Sequence, residues 1–137
     1  PRIGIVLEKG GGALEKMIPP FKFFIGGPIG SGNQFMSWIH RSDLCKALVF
    51  PFENEALTGA YNVCSPNPAT MDEFAKTLGT TMNRPALFKV PKFVLDIILG
   101  EAAKPVTDSI RMQPKKLQVT GFDFRFENLA EALADIV

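Results

Sequence analysis

The run that decides the fold is Gly26-Gly27-Pro28-Ile29-Gly30-Ser31-Gly32-Asn33-Gln34-Phe35-Met36-Ser37-Trp38-Ile39-His40-Arg41-Ser42-Asp43-Leu44. It reads as a glycine-rich turn, a short strand and the start of a capped helix. Four glycines and a proline within residues 26–34 demand a tight, specific backbone, because Gly reaches positive φ freely and Pro fixes φ. Ser42 is placed to cap a helix whose first turn carries Asp43, a favourable position for an anion. The chain's one Trp and one His, Trp38 and His40, sit just ahead of Arg41. A rigid loop followed by large polar-tipped side chains suits a ligand wall or a structural hairpin, and sequence physics favours the hairpin.

Upstream, Arg2 to Leu7 reads as a buried strand, apolar on both faces past Arg2, as in a parallel sheet covered by helices. Glu8 to Gly12 is a turn whose glycines let the backbone approach a neighbour. Ala13 to Ile18 is a short helix ended by Pro19-Pro20, and Phe21 to Ile25 is an apolar, strand-like piece.

Downstream, Ser42 to about Phe50 is a helix with Leu44, Ala47 and Leu48 on one face, ended or kinked by Pro51. Ala60 to Cys64 is a second strand, followed by the rigid Ser65-Pro66-Asn67-Pro68. Thr70 and Glu73 form a capping box, and Phe74, Leu78 and Met82 recur at the helical period behind it. Pro85 to Val90 includes a third extended piece. Lys92 to Leu99 is a helix apolar on most sides, which must be buried or find a partner. Ser109 to Met112 is one more helical turn. Phe122, Phe124 and Phe126 alternate as an extended segment with one aromatic face, and Asn128 to Ile136 is a terminal docking helix. The pattern is α/β.

Composition narrows the function. Of 137 residues, 46% are hydrophobic and 21% charged, with a net charge of +1, so the chain is globular and carries no nucleic-acid footprint. No apolar run reaches membrane-spanning length, so no membrane partner is implied. The two cysteines, Cys45 and Cys64, form no disulfide framework and fit a reducing compartment, the cytoplasm. The chain enters a strand directly after Pro1 and supplies few central strands, which points to part of something longer.

Catalytic machinery is absent from these residues. There is no P-loop and no G-x-G-x-x-G between strand and helix. Tyr61 is followed at i+4 by Ser65, so there is no Tyr-x-x-x-Lys pair. No zinc or calcium pattern exists. His40 has the right free pKa for a general base, but the sequence names no group for it to activate, and the structural role weighs more.

Several runs together resemble a known family. They are Arg2-Ile3-Gly4-Ile5-Val6-Leu7 with Gly11-Gly12-Ala13-Leu14, Gly27-Pro28-Ile29-Gly30-Ser31-Gly32 with Gln34 and Ser37-Trp38-Ile39-His40, Asp43-Leu44, Tyr61-Asn62 with Ser65-Pro66-Asn67-Pro68, and a tail with Leu99-Gly100-Glu101, Pro114-Lys115-Lys116-Leu117 and Gly121-Phe122. Over essentially its whole length the chain is similar to the C-terminal half of the predicted nucleoside-diphosphate-sugar epimerases. These are atypical extended short-chain dehydrogenase/reductases that end in a small domain of undefined function.

The resemblance implies the C-terminal portion of an NAD(P)-binding Rossmann-like protein, with its substrate-binding lobe. Residues 1–68 would be late Rossmann elements with an inserted lobe segment, and 69–137 the small C-terminal domain. The cofactor-binding half, with its glycine-rich turn and catalytic Tyr and Lys, would lie outside this chain. The implied function is the substrate-binding half of an NAD(P)-dependent nucleotide-sugar epimerase-like or reductase-like protein, inactive as a separate fragment. A non-enzymatic dinucleotide-binding, structural or protein-interaction domain is the alternative.

Gly11 and Gly12 would lie near the nicotinamide of NADP or NAD, although the fragment alone would bind no cofactor. Met17, Pro20 and Phe21 would wall the substrate cleft, and Gln34, Trp38 and His40 would lie on the segment crossing back from the lobe. The implied partners are a small-molecule substrate, a nucleotide sugar, the missing N-terminal half, and further copies in an oligomer. The sequence departs from the family at Glu8-Lys9-Gly10, where Gly, Asp or Asn is usual, and at Pro51.

Overall fold

The computed structural model describes the backbone of residues 1–137 and every side chain except those of residues 98, 99, 102 and 105. Three short strand pairs organise it. Strand β1 (Arg2–Ile3) and strand β2 (Ile5–Leu7) follow one another on either side of Gly4. Helix α1 (Gly12–Lys22) leads through the glycine loop to β3 (Phe35–Met36) and β4 (Trp38–His40), and helix α2 (Arg41–Glu53) follows at once. Strand β5 (Asn62–Val63) pairs parallel with β1, placing Arg2 beside Asn62. Strand β2 pairs parallel with β4, placing Ile5, Val6 and Leu7 beside Trp38, Ile39 and His40. Parallel neighbours need a long crossover, and α1 supplies it between β2 and β4.

The third pair is antiparallel: β3 with β6 (Ala69–Thr70). Helix α3 (Met71–Met82) grows from β6 through the expected capping box. Glu73 N–H donates to Thr70 Oγ1, and Thr70 N–H donates to the Glu73 carboxylate. Asn83 closes α3 in the left-handed region at φ 54°, a conformation Asn tolerates. The tail holds α4 (Lys92–Leu99), a 3-10 turn at Gly100–Ala103, α5 (Lys104–Thr107), α6 (Lys115–Val119) and α7 (Leu129–Ile136).

Strand β4 lies between two apolar cores. Trp38 joins Leu7, Leu14, Phe21, Phe74, Leu78 and Leu133 on one side. Ile39 joins Ala47, Val63, Leu117, Phe122 and Phe124 on the other. Successive strand residues face opposite ways, so three residues serve both cores. The first core draws on residues from both the first half and the tail, with α7 packed on α3 and β2.

Several expectations are corrected. The first strand is not buried on both faces: Ile3 is 46% exposed, and Gly4 interrupts the ladder. Pro19 and Pro20 do not stop α1, which runs to Lys22. Their carbonyls still accept, from Phe23 and Ile25 N–H, and the buried Phe21 holds the last turn down. Residues 21–25 are thus a helix end and turn rather than a strand. Pro51 likewise lies inside α2, in its last turn.

The α2 cap is His40 rather than Ser42, because the helix begins at Arg41, two residues before a Ser42 cap would place its start, and Leu48 faces solvent. Residues 109–112 are extended along β3, tied by Phe35 N–H to Ser109 Oγ and Ile110 N–H to Phe35 O. Phe122, Phe124 and Phe126 are all buried as their alternation implies, yet they form no strand. In α4 only Leu95 is buried, whereas Phe93 and Ile97 are exposed; the side chains at 98 and 99 lie outside the described residues.

Candidate functional site

Gly4 shapes an apolar opening. A Cβ there would sit 2.6 Å from Ser37 O, so glycine lets the strand close on Ser37, and Ile5 N–H donates to that same carbonyl at 2.7 Å. The Ser37 hydroxyl donates to Ile110 O at 2.7 Å and accepts from Met112 N–H at 2.8 Å. One serine thereby fastens the 110–112 segment opposite the first strand.

Between them runs a trough of about 300 Å³. Ile3, Gly4, Ile5 and Val6 form one wall, and Val106, Ile110 and Met112 the other. Gly12 and Ala13, at the start of α1, close one end together with Glu8. Each of β1 and β2 pairs on one side only, so the strand that floors the trough also offers an unpaired edge.

The Glu8 loop is held open by its backbone. Gly10 and Gly12 lie at φ 71° and 66°, where an L side chain is strained. Gly11 is extended and precedes α1 without any side-chain cap, and a Cβ on it would strike the Glu8 carboxylate at 2.7 Å. The first-turn N–H groups of α1 are therefore uncapped by a side chain, and unpaired N–H groups at a helix start favour an anion or a polarised oxygen. The volume seats one ring-sized group rather than a whole dinucleotide. The residues present thus fit the nicotinamide end of a cofactor and none of its length.

The six expected substrate residues fall in three separate places. Met17, Pro20 and Phe21 line a narrow crevice of about 20 Å³ with Leu95 and Val90, too small for a ligand. Gln34 and Trp38 face inward. The Gln34 amide donates to Ile29 O at 2.8 Å and accepts from Ser31 at 3.2 Å. The Trp38 indole, fully buried, donates to Asn67 O at 3.0 Å.

His40 stands apart, beside a polar basin of about 340 Å³ between the start of α2 and the end of α7. Its Nδ1 accepts from Ser42 N–H at 3.2 Å and faces the Ser42 hydroxyl at 2.8 Å, so the ring proton belongs on Nε2. The Asp135 carboxylate lies 3.2 Å from Nε2. The approach is close but out of line, and Nε2 has no well-formed hydrogen bond among the described residues. Phe126 lies against the ring, centroids 4.0 Å apart. Burial lowers the His40 pKa below 6.5, against the opposing pull of Asp135 and Asp43. The imidazole thus caps α2 and packs on Phe126.

Sequence reading passed over Ser37, Ile110 and Met112, because they meet only through contacts more than seventy residues apart in the chain. The available signal was Ser37 itself, a small hydroxyl between the large side chains Met36 and Trp38. Neither cysteine is a nucleophile in waiting at the trough: both are free thiols, Cys45 exposed, and Cys64 buried with its pKa raised to about 11 by that burial. Among the described residues no group of His, Cys, Asp and Glu could hold a metal ion.

Residues 90–136 match a domain of unknown function, DUF1731. Epimerase family protein SAR0825 of Staphylococcus aureus is 40% identical over 136 residues, which is 99% of this chain and 45% of that protein. The chloroplastic SDR39U1 homolog of Arabidopsis thaliana is also 40% identical over 136 residues, 39% of its length. Among solved structures, human epimerase family protein SDR39U1 (isoform 2) with NADPH superposes with a TM-score of 0.89 at 38% identity, over 98% of this chain and 46% of that one. A nucleoside-diphosphate sugar epimerase from Corynebacterium glutamicum gives 0.69 at 25% identity, over 97% of this chain and 24% of that one. The chain spans about half the length of the curated relatives it matches, or less.

Proposed function

Because this chain is an epimerase-family sequence of the extended short-chain dehydrogenase/reductase type, we propose that it forms the substrate-binding half of an NAD(P)-dependent nucleotide-sugar epimerase-like or reductase-like protein. The observation that carries the reading is the one-sided pairing of β1 and β2 beside the apolar trough. A preceding half would add strands to that edge and cover the trough, bringing the cofactor with it. Residues 1–68 would then continue the Rossmann sheet, and 69–137 would form the small C-terminal domain.

In that assembly Gly11 and Gly12 approach the nicotinamide. Ligands in open α/β sheets sit beyond the carboxyl ends of the strands, and the Glu8–Gly12 loop leaves β2 at that end. NADPH or NADH supplies the hydride chemistry when bound. This chain's part is to wall the site with Ile3, Ile5, Ile110 and Met112, exclude water, and present Glu8 at the rim. Met17, Pro20, Phe21, Gln34, Trp38 and His40 support the substrate lobe from behind. Two free thiols agree with a reducing cytoplasm.

The test compares this chain with the longer protein. NADPH fluorescence titration is expected to show binding by the longer protein and none by residues 1–137 alone. Turnover on a panel of nucleotide sugars then separates an active enzyme from a dinucleotide-binding relic. Submicromolar NADPH binding by this chain alone would overturn the reading.

A further inference from the structure

The far end of α1 carries a surface that the trough does not explain. Phe23, Phe24 and Ile25 are 74%, 54% and 55% exposed. The neighbouring segment is tied to them through Phe88 N–H donating to Gly26 O, and it exposes Leu87 and Phe88 at 82% and 56%. Helix α4 follows directly, with Phe93 and Ile97 one turn apart and both uncovered. The four phenylalanines alone leave on the order of 500 Å² of ring exposed, as much as the whole largest patch of an ordinary monomer.

The backbone presents this surface at a cost. Phe24 lies at φ 62°, a conformation that disfavours bulky residues. Its ring is not buried in return; among the described residues the one cation stacked on it is the Arg84 guanidinium, 4.6 Å from its centroid. Strain kept at an exposed aromatic residue is a mark of use.

Charge selects the partner. Residues 22–25 and 84–97 carry Lys22, Arg84, Lys89 and Lys92 against Asp96 alone, in a chain whose totals are 15 and 14. A second copy brought face to face would set these cations against one another. We infer that this end of the molecule docks on an anionic lipid surface, with Phe23, Phe24, Ile25, Leu87 and Phe88 entering the interface and the lysines meeting headgroups. Aromatic and aliphatic tips ringed by Lys and Arg suit the acyl–headgroup boundary, and the lysine stems can lie along apolar surface while their charges stay in water. Among the described residues no helix is long and apolar enough to cross a membrane, but a surface dock needs no such length. The trough lies at the opposite end of α1, roughly 16 Å away at the helical rise, so the docking surface and the cofactor reading stand independently.

Flotation with vesicles tests this. The chain is expected to float with vesicles of phosphatidylcholine and phosphatidylserine, to stay behind with phosphatidylcholine alone, and to be released by high salt. Phe23→Ser with Phe88→Ser should lower the bound fraction at least tenfold at unchanged Tm. Lys22→Glu with Lys89→Glu should remove the preference for anionic vesicles. Phe88→Trp should give a blue-shifted emission on anionic vesicles, a readout that needs no loss of binding. Absence of flotation would overturn the inference. So would a soluble dimer that Phe23→Ser dissociates, or flotation by this chain that the longer protein lacks, since either would name a different cover for the patch.

Discussion

Asp43 holds Phe126 by the backbone: its Oδ2 accepts the Phe126 N–H at 2.9 Å, while Oδ1 accepts the Arg125 N–H at 2.8 Å. The carboxylate is almost wholly buried in the first turn of α2. It therefore ties the start of that helix to the phenylalanine-rich segment more than eighty residues later. Asp43→Asn keeps the shape but turns an amide NH₂ toward one of two N–H donors. The loss is expected to be about 2–3 kcal/mol, the range for a charge-assisted hydrogen bond with a stranded partner. Urea unfolding measures it, and a change below about 0.5 kcal/mol, ordinary for a surface substitution, would show that the pair contributes little.

Next to this clamp, His40 gives the stability a pH dependence. Burial holds its folded pKa below the unfolded 6.5. The folded state thus favours the neutral ring, and its contribution is fully present above 6.5. As pH falls through 6.5 toward the folded value, the unfolded chain takes up the proton first and stability declines. Melting temperature is expected to drop on that interval in the native chain, and His40→Gln should flatten the slope there. An equal slope in both proteins would assign the dependence to other groups.

Two glycines separate crowding from backbone strain. A Cβ on Gly27 would lie 1.7 Å from Phe88 O, whereas one on Gly10 meets nothing within 4 Å. Gly27→Ala must push the 88–90 segment away and is expected to lose at least about 3 kcal/mol, the upper end for overpacking. Gly10→Ala faces only its φ of 71°, and about 1–2 kcal/mol is expected from the left-handed conformation. Thermal unfolding of both variants gives the ranking, and the reverse order would contradict the packing described.

Thiol chemistry reports the fold directly. Cys45 is exposed, while Cys64 is buried with a pKa near 11. At neutral pH a thiol reagent is expected to modify Cys45 alone in the folded chain, and both sites in denaturant, since the thiolate is the reactive form. Modification of both at similar rates without denaturant would place Cys64 at the surface.

Local chemistry made much of this fold readable. The Thr70–Glu73 pair marked the start of α3 because a capping box uses only neighbouring atoms. Phe74, Leu78 and Leu133 announced their buried faces by period. The alternation of Phe122, Phe124 and Phe126 gave the correct burial without a strand, because period 2 specifies an extended chain and a ladder needs a partner edge. Pro19 and Pro20 did not stop α1 because their carbonyls accept from Phe23 and Ile25 N–H and the buried Phe21 anchors the last turn.

The site was less legible. Gly4, Ser37, Ile110 and Met112 meet through long-range bonds that no spacing encodes. Sequence physics favoured a structural role for Trp38 and His40, and the structure sets the Trp38 indole on Asn67 O and His40 against Ser42 and Phe126.

The placement of β4 between two cores carries a consequence for cooperativity. Trp38 and Ile39 are adjacent in sequence but belong to different apolar clusters. One extra residue in the loop ahead of β4 would exchange their faces, sending an indole toward Ala47 and Val63 and an aliphatic chain toward Phe74. Neither cluster can lose its part of this strand without disturbing the other. The two halves of the interior should therefore melt as one unit, and a protease should find the chain either wholly resistant or wholly open.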